Sequence, residues 1–125
     1  MFRVSVSKEF ICQHFLIGGD WGKENMKHSH HFKVEIQLKG ENLNTHGYLY
    51  DISILQEQLD LTIARYEDKT LNDLPEFENL NPSVEYFSQF FLQNFCKNLE
   101  LDHLTEISCK LWEDKSAWAS YSRLL

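Results

Sequence analysis

The feature that most constrains the fold is an alternation with a period of two in two long stretches of the N-terminal half. The residues on one side of this alternation are Phe2, Val4, Val6, Phe10, Cys12 and Leu16 in the first stretch, and His30, Phe32, Val34, Ile36 and Leu38 in the second. Residues two apart in a β-strand point to the same face, so each stretch predicts a strand with one buried face. Gly18 and Gly19 open the loop between the two strands, and Gly40 ends the second.

The period becomes helical after residue 51. Apolar residues then recur at steps of three and four, at Ile52, Leu55, Leu59 and Ile63. This predicts an amphipathic helix, capped either by Asp51 or by Ser53, which has Gln56 at capping-box spacing. A second helix is predicted to open at Asn81 and Pro82, a capping side chain followed by proline at the first helical position, and to run to about Asn98.

Two further strands are predicted near the C-terminus, Thr105 to Glu113 and Ala117 to Arg123, with a hairpin turn at Asp114-Lys115-Ser116. The resulting order, ββααββ, is that of an α+β fold. A length of 125 residues is typical of one domain, so we expect a single domain over residues 1–125.

The charge balance restricts the partners. Twelve Lys and Arg against 19 Asp and Glu give a formal net charge of −7, which repels phosphate backbones and anionic lipid. We therefore expect neither nucleic acid nor a membrane as partner, and no stretch approaches the roughly 18 apolar residues of a membrane span. Three cysteines without paired spacing, Cys12, Cys96 and Cys109, favour a reducing compartment, so a cytoplasmic location is expected.

Three histidines are the strongest candidates for chemistry. His28 and His30 are two residues apart at the start of the second strand, so their imidazoles point to one face, and His14 has the buried parity on the preceding strand. Three imidazoles converging from adjacent strands form the ligand set of a catalytic Zn²⁺ site with an open fourth position. The alternative is that these are unrelated histidines, each satisfied in the core or at the surface.

Glu113 is the second candidate, because it continues the inward parity of Ile107, Cys109 and Leu111. A carboxylate on a buried face is costly unless something pairs with it. The partner is either a lysine or arginine of the chain, or a ligand with two adjacent N–H donors, which a carboxylate binds in a bidentate manner.

The candidate residues lie within motifs of a known family. The chain resembles the 6-pyruvoyl-tetrahydropterin synthases and 6-carboxy-tetrahydropterin synthases, a family with the tunnelling fold that includes enzymes of queuosine biosynthesis. The matching segments are, in chain order, Phe10-Ile11-Cys12-Gln13-His14, His28-Ser29-His30-His31-Phe32, Gly47-Tyr48-Leu49-Tyr50-Asp51, Leu71-Asn72, Asn81-Pro82-Ser83-Val84-Glu85 and Trp112-Glu113-Asp114. The resemblance implies a four-stranded antiparallel sheet with two helices on one face, and a homotrimer or stacked homohexamer with active sites between subunits.

The resemblance also implies roles for individual residues. His14, His28 and His30 correspond to the three zinc ligands of the family. Glu113 corresponds to the carboxylate that binds the N–H edge of the pterin ring. Ser83 and Glu85 belong to the motif at the start of the second helix and are implied to bind substrate.

Two positions depart from the family pattern. Glu24 stands where the family has its catalytic cysteine, and a similar subtype with glutamate there cleaves the dihydroneopterin side chain to give a 6-hydroxymethyl pterin. Glu67 and Asp68 stand where the family has an Asp-His pair. These three residues are the candidate catalytic residues, although Glu24 also fits a solvated residue in a stretch of mixed charge.

The resemblance therefore implies a zinc-dependent lyase that acts on dihydroneopterin triphosphate or a related reduced pterin. The alternative is a divergent protein that binds zinc and pterin without catalysis. The substitutions at the two proton-transfer positions are the sequence feature that separates these two interpretations.

Overall fold

The computed structural model describes residues 1–125. In chain order the elements are β1 (Phe2–His14), β2 (His28–Gly40), α1 (Ile52–Tyr66), α2 (Val84–Cys96), β3 (Glu106–Trp112) and β4 (Trp118–Leu124), with short 3₁₀ turns at Gly22–Asn25, Leu71–Asp73 and Pro75–Phe77. The four strands form one antiparallel sheet in the order β1-β2-β3-β4. The predicted ββααββ order and α+β class are confirmed. Neither helix has the length and hydrophobicity that crossing a bilayer would require.

The long β1–β2 ladder sets the geometry of the whole sheet. Its register runs from Phe2 opposite Gly40 to His14 opposite His28. Residues directly opposite each other in an antiparallel pair point to the same face, so the even-numbered residues of both strands share one face. Both helices pack against that face, where Phe32 contacts Phe87 of α2 with ring centroids 5.2 Å apart. The predicted parity of the two strands is thus confirmed, except that β1 ends at His14 and does not include Leu16.

Helix α1 begins where its sequence pattern predicts. Of the two proposed caps the structure uses Asp51, whose carboxylate accepts a hydrogen bond from the N–H of Ser53 at 2.8 Å. Leu55, Leu59 and Ile63 are buried as expected, whereas Ile52 in the first turn is exposed. The buried face of the helix therefore starts one turn after its N-terminus.

The predicted start of α2 is wrong by two residues. The helix begins at Val84, and its cap is the hydroxyl of Ser83, which accepts a hydrogen bond from the N–H of Tyr86 at 3.2 Å. The side chain of Asn81 instead accepts a hydrogen bond from the N–H of Ile17, 64 residues away, at 2.9 Å. The amide oxygen of Asn81 thus binds the chain beyond β1 rather than the helix, and Ser83 provides the cap.

A partly buried ion-pair network ties both helices to the loop between them. The carboxylate of Glu76 accepts two hydrogen bonds from the Arg65 guanidinium, at 2.9 and 2.6 Å. It also accepts hydrogen bonds from the Tyr66 hydroxyl at 2.8 Å and the Asn94 amide at 3.2 Å. Burial acts to raise the pKa of Glu76, but these donors outweigh it and lower that pKa from 4.5 to about 2. The network therefore fixes the loop that carries Asn72.

Glu76→Gln is expected to destabilise the protein by about 2 kcal/mol, because the amide sets a donor against the donors of Arg65 and Tyr66. Urea unfolding at pH 7 measures this change. Since folding lowers the pKa of Glu76 from 4.5 to about 2, its contribution is complete above about pH 5 and is lost as the pH falls toward 2. The difference between wild type and variant should therefore shrink to less than half at about pH 3. An undiminished difference there would contradict the assigned role.

Candidate active site

Three histidine rings converge at the end of the β1–β2 ladder. His14 is paired with His28, and His30 is paired with Cys12, so all three rings lie on the even-numbered face. The ring centroids of His14, His28 and His30 are 4.6, 4.7 and 4.9 Å from one another, in edge-to-face orientations. The structure therefore brings together the three histidines that the sequence singled out.

Backbone carbonyls determine which ring nitrogens face the centre of this triangle. Nδ1 of His14 lies 3.0 Å from the carbonyl oxygen of Pro82, and Nδ1 of His28 lies 2.7 Å from that of Met26. A carbonyl only accepts, so each Nδ1 carries a hydrogen and donates it, which leaves the Nε2 of a neutral ring with a lone pair. The Nε2 atoms of all three histidines are buried without a hydrogen-bond partner.

Such an arrangement is typical of a metal site. Metal-bound histidines commonly donate their second ring N–H to a carbonyl, which orients the ring and fixes its tautomer. Burial lowers the pKa of His14 to about 4, although the hydrogen bond to Pro82 acts to raise it. His14 is therefore neutral at pH 7, the form that binds a metal ion. Three buried Nε2 atoms that lie close together without hydrogen-bond partners fit the ligand set of a Zn²⁺ ion.

Glu24 brings a carboxylate to the same point. One of its oxygens lies 2.8 Å from Nε2 of His28 and 4.0 Å from Nε2 of His30. Despite the short distance, the contact with His28 does not have the geometry of a hydrogen bond. Ligand atoms of His14, Glu24, His28 and His30 all lie within 4.8 Å of one another. The loop that follows β1 thus completes a set of four possible metal ligands.

Asn25 holds the loop that carries Glu24. Its amide nitrogen donates to the carbonyl oxygens of Leu16 and Gly19, both at 3.0 Å, and its oxygen accepts from the N–H of Trp21 at 2.7 Å. The carbonyl oxygen of Glu24 accepts from the N–H of Leu16 at 2.8 Å. The backbone at Glu24 is therefore fixed relative to the chain that leaves His14.

Two further asparagines bind the backbone just beyond the end of β1. The Asn72 amide donates to the carbonyl oxygen of Phe15 at 2.9 Å and accepts from its N–H at 3.0 Å. Asn81 accepts from the N–H of Ile17. The sequence interpretation missed these clamps. Asn72 and Asn81 lie in the Leu71-Asn72 and Asn81-Pro82 motifs, but these motifs do not reveal which groups the two side chains bind. No sequence feature pointed to Asn25.

Glu113 approaches the histidines from the other side. One of its oxygens lies 3.1 Å from Nε2 of His30 and 4.0 Å from Nε2 of His14. The β3–β4 hairpin positions it: the N–H of Glu113 donates to the carbonyl oxygen of Ala117 at 3.0 Å. Of the two partners open at the sequence level, the structure shows no lysine or arginine within 4 Å, and Glu113 instead contacts the candidate metal ligands.

The turn of this hairpin is rigid for a local reason. The carboxylate of Asp114 accepts hydrogen bonds from the N–H groups of Ser116 and Ala117, at 2.8 and 2.9 Å, and from the Ser116 hydroxyl at 3.0 Å. The hydrogen bonds from Ser116 lower the pKa of Asp114. The residue that follows Glu113 is thus fixed without help from a ligand.

Glu113 lies between two cavities. The first, of about 650 Å³, is also lined by His30 and Trp112. The second, of about 420 Å³, is also lined by Glu85 and Trp118. Both volumes are in the range of small-molecule sites. A third cavity, of about 450 Å³, lies near Leu49 at the opposite end of β2 and includes none of these residues.

The remaining candidate residues are placed differently. Glu67 and Asp68 are exposed, and the N–H of Asp68 donates to the carbonyl oxygen of Ile11 at the outer edge of β1. Within one chain they are not among the side chains that contact the histidines. The Ser83 hydroxyl caps α2, and Glu85 faces the same cavity as Glu113. The predicted roles of these four residues stay predictions.

The sequence profile of the family described as 6-pyruvoyl tetrahydropterin synthase matches residues 3–124. A protein of Pyrococcus abyssi, provisionally named 6-carboxy-5,6,7,8-tetrahydropterin synthase, is 29% identical over 98% of this chain and 91% of its own length.

Solved structures show the same fold. The 6-pyruvoyl tetrahydropterin synthase of Caenorhabditis elegans has a TM-score of 0.82 at 19% identity, over 96% of this chain and 94% of its own. The Plasmodium vivax 6-pyruvoyltetrahydropterin synthase, in a form described as a mutant with alanine in place of a catalytic glutamate, has a TM-score of 0.81 at 17% identity, over 99% and 98% of the two chains.

Proposed function

Because the chain belongs to the 6-pyruvoyl tetrahydropterin synthase family of pterin enzymes and is an enzyme of the lyase type, we propose that it depends on zinc and acts on dihydroneopterin triphosphate or a related reduced pterin. One observation carries the proposal. Three buried Nε2 atoms without partners face one point, with a glutamate on either side. A metal ion would satisfy the nitrogens, and the two carboxylates would bind and deprotonate a substrate held beside it.

His14, His28 and His30 would hold the metal. A Zn²⁺ ion held by these three residues would supply Lewis acidity, which lowers the pKa of a coordinated water toward about 7. The carbonyls of Pro82 and Met26 keep the rings oriented toward this point. Such hydrogen bonds would fix the orientation of the His14 and His28 rings before a metal binds.

Glu113 would bind the pterin ring. The edge of a pterin carries a 2-amino group beside a ring N–H, and a carboxylate accepts hydrogen bonds from two such donors at once. Its place between two cavities leaves room for a flat heterocycle on either side. The fixed hairpin would keep the carboxylate in position before the substrate arrives, so little ordering would be needed on binding.

Glu24 would take a proton from the substrate side chain. A general base must lie within hydrogen-bond reach of the proton it removes, and the Glu24 carboxylate lies 2.8 Å from one metal-facing nitrogen. The catalytic glutamate described for the Plasmodium vivax enzyme supports such a role. At 46% exposure the Glu24 side chain also has a route for returning the proton to solvent.

Product identification tests the proposed function. The zinc-loaded protein is incubated with dihydroneopterin triphosphate, and the pterin products are separated and identified by mass. A 6-pyruvoyl or 6-carboxy tetrahydropterin would support the family reactions. A 6-hydroxymethyl dihydropterin would support the side-chain cleavage that glutamate at position 24 favours. An unchanged substrate that nevertheless binds would overturn the proposed catalysis and favour the alternative of a zinc- and pterin-binding protein.

Glu113→Gln is expected to weaken binding of a reduced pterin by about 2–3 kcal/mol, since it removes the charge and sets a donor against the donors of the pterin. Zinc content should not change. Equilibrium binding measured by the fluorescence of the pterin gives the affinity. Glu35→Gln, which removes the same charge from the opposite face of β2, is the matched control. Equal affinity in the wild type and Glu113→Gln would reduce Glu113 to a structural role.

Assembly is the remaining part of the proposal. In the single chain β1 and β4 are the edges of the sheet, and exposed edges are usually paired or covered. We expect a homotrimer or homohexamer in which a neighbouring chain supplies Glu67 and Asp68 to the histidines. Sedimentation equilibrium at micromolar concentration should give three or six times the mass of 14.9 kDa. A stable monomer would contradict this expectation.

A further inference from the structure

The contact between Glu24 and a neutral His28 ring is unfavourable without a cation. The only hydrogen of a neutral His28 ring is on Nδ1, which donates to the carbonyl oxygen of Met26 at 2.7 Å. The carboxylate oxygen of Glu24 lies 2.8 Å from the opposite nitrogen, Nε2. Two lone pairs at this distance repel each other, so the arrangement is stable when a positive charge lies between them.

The distances suit a metal ion that binds both groups. Ligands of a tetrahedral zinc ion, each at about 2.0–2.2 Å, lie about 3.3–3.5 Å from one another. The Glu24 oxygen lies 2.8 Å from Nε2 of His28 and 4.0 Å from Nε2 of His30, on either side of that value. Glu24 also lies within 4.8 Å of all three histidines, a group that does not include Glu113.

We infer that Glu24 is the fourth protein ligand of the metal in the substrate-free enzyme, and that a substrate oxygen replaces it. The inference rests on the proposed function, because it needs a metal at the three histidines. The inference gives the Glu24 carboxylate two successive roles. It first occupies the metal position that the substrate will take, and once displaced it is free beside the substrate as a base.

The local structure permits this exchange. The backbone of Glu24 is held by its hydrogen bond to Leu16 and by the Asn25 clamp. Its side chain is 46% exposed, whereas that of His14 is 2% exposed. A glutamate side chain on a fixed backbone can therefore turn away while the histidines stay in place.

Two measurements that do not depend on turnover test the inference. Zinc affinity is measured by competition with a chromophoric chelator, and azide affinity by titrating the visible spectrum of the Co²⁺-loaded protein. Glu24→Gln should weaken zinc binding by at least about tenfold, the lower end of what losing even an outer-shell partner costs a metal site. Azide should bind at least about tenfold more tightly to Glu24→Gln than to wild type, because no ligand has to be displaced. Glu24→Ala should change both affinities in the same direction.

Glu113→Gln is the matched control, since it removes the same charge 3.1 Å from a metal-facing nitrogen. Because Glu113 contacts a ligand and is not a ligand itself, its replacement should change both affinities by less than Glu24→Gln does. Equal changes of affinity in the Glu24 and Glu113 variants would mean that the loss of a negative charge alone causes the effect. Unchanged affinities in both Glu24 variants would exclude Glu24 as a metal ligand. Both results overturn the inference while the histidine site stands. Failure of the wild type to bind zinc at all would overturn the proposed function itself.

Discussion

Glu24→Gln is expected to slow turnover of the reduced pterin substrate by about 10²–10⁴-fold, the usual cost of removing a general base. The amide keeps the size of the side chain but cannot accept the proton. The assay uses excess zinc, so that the three histidines remain loaded even if Glu24 contributes to metal binding. The initial rate of product formation, divided by the concentration of zinc-loaded sites, gives the comparison.

The control for this variant is Glu35→Gln, which lies on the opposite face of the sheet and should turn over at the wild-type rate. Pterin affinity of Glu24→Gln should be at least that of wild type, because Glu113 is intact and no metal ligand has to be displaced by the substrate. A wild-type rate in Glu24→Gln would place the base elsewhere, with Asp68 and Glu67 as the next candidates. The corresponding glutamine and asparagine variants would then be tested in the assembled oligomer.

His28→Ala is expected to abolish stoichiometric metal binding. The wild type should carry about one Zn²⁺ per chain after dialysis against metal-free buffer. The variant is also made in the Glu24→Gln background, because Glu24 would otherwise remain as a third ligand beside His14 and His30, and two histidines do not make the three-ligand site that holds a catalytic zinc ion. Metal content measured by mass spectrometry gives the comparison. His30→Ala should have the same effect, since its Nε2 faces the same point.

His31→Ala is the matched control for the metal site. This histidine adjoins His30 but points to the opposite face of the sheet, is 62% exposed and lies 3.7 Å from Glu9. Its replacement should leave the zinc content at about one per chain. Full zinc occupancy in both His28→Ala and His30→Ala would exclude the three-histidine assignment.

The sequence predicted the strands and the histidine face because both depend on a local period. Once Val34 and Ile36 identify the buried side of β2, the period of two places His30 and His28 on that side as well. The same reasoning gave Glu113 its inward direction from Cys109 and Leu111. Local pattern thus predicted the elements and most of the side chains that converge on the site.

The clamps around the site could not be predicted in this way. Asn72 and Asn81 bind backbone that lies 57 and 64 residues away in the chain, and no local period encodes such a contact. The sequence pattern predicts that Asn81 caps the helix that follows it, because capping is the usual role of an asparagine just before a helix. The candidate roles of Glu67 and Asp68 depend on a second chain, because a site between subunits takes residues from both chains. A local sequence pattern does not encode such a contact.

The central claim is that a metal ion bound to His14, His28 and His30 lies beside a pterin held by Glu113. Anomalous diffraction at the zinc absorption edge, from crystals of the protein with a bound reduced pterin, tests it most directly. We predict one zinc peak per chain bonded to the three Nε2 atoms, with the N–H edge of the pterin against the Glu113 carboxylate. A zinc peak elsewhere, or a pterin that contacts neither Glu113 nor the metal, would contradict the account.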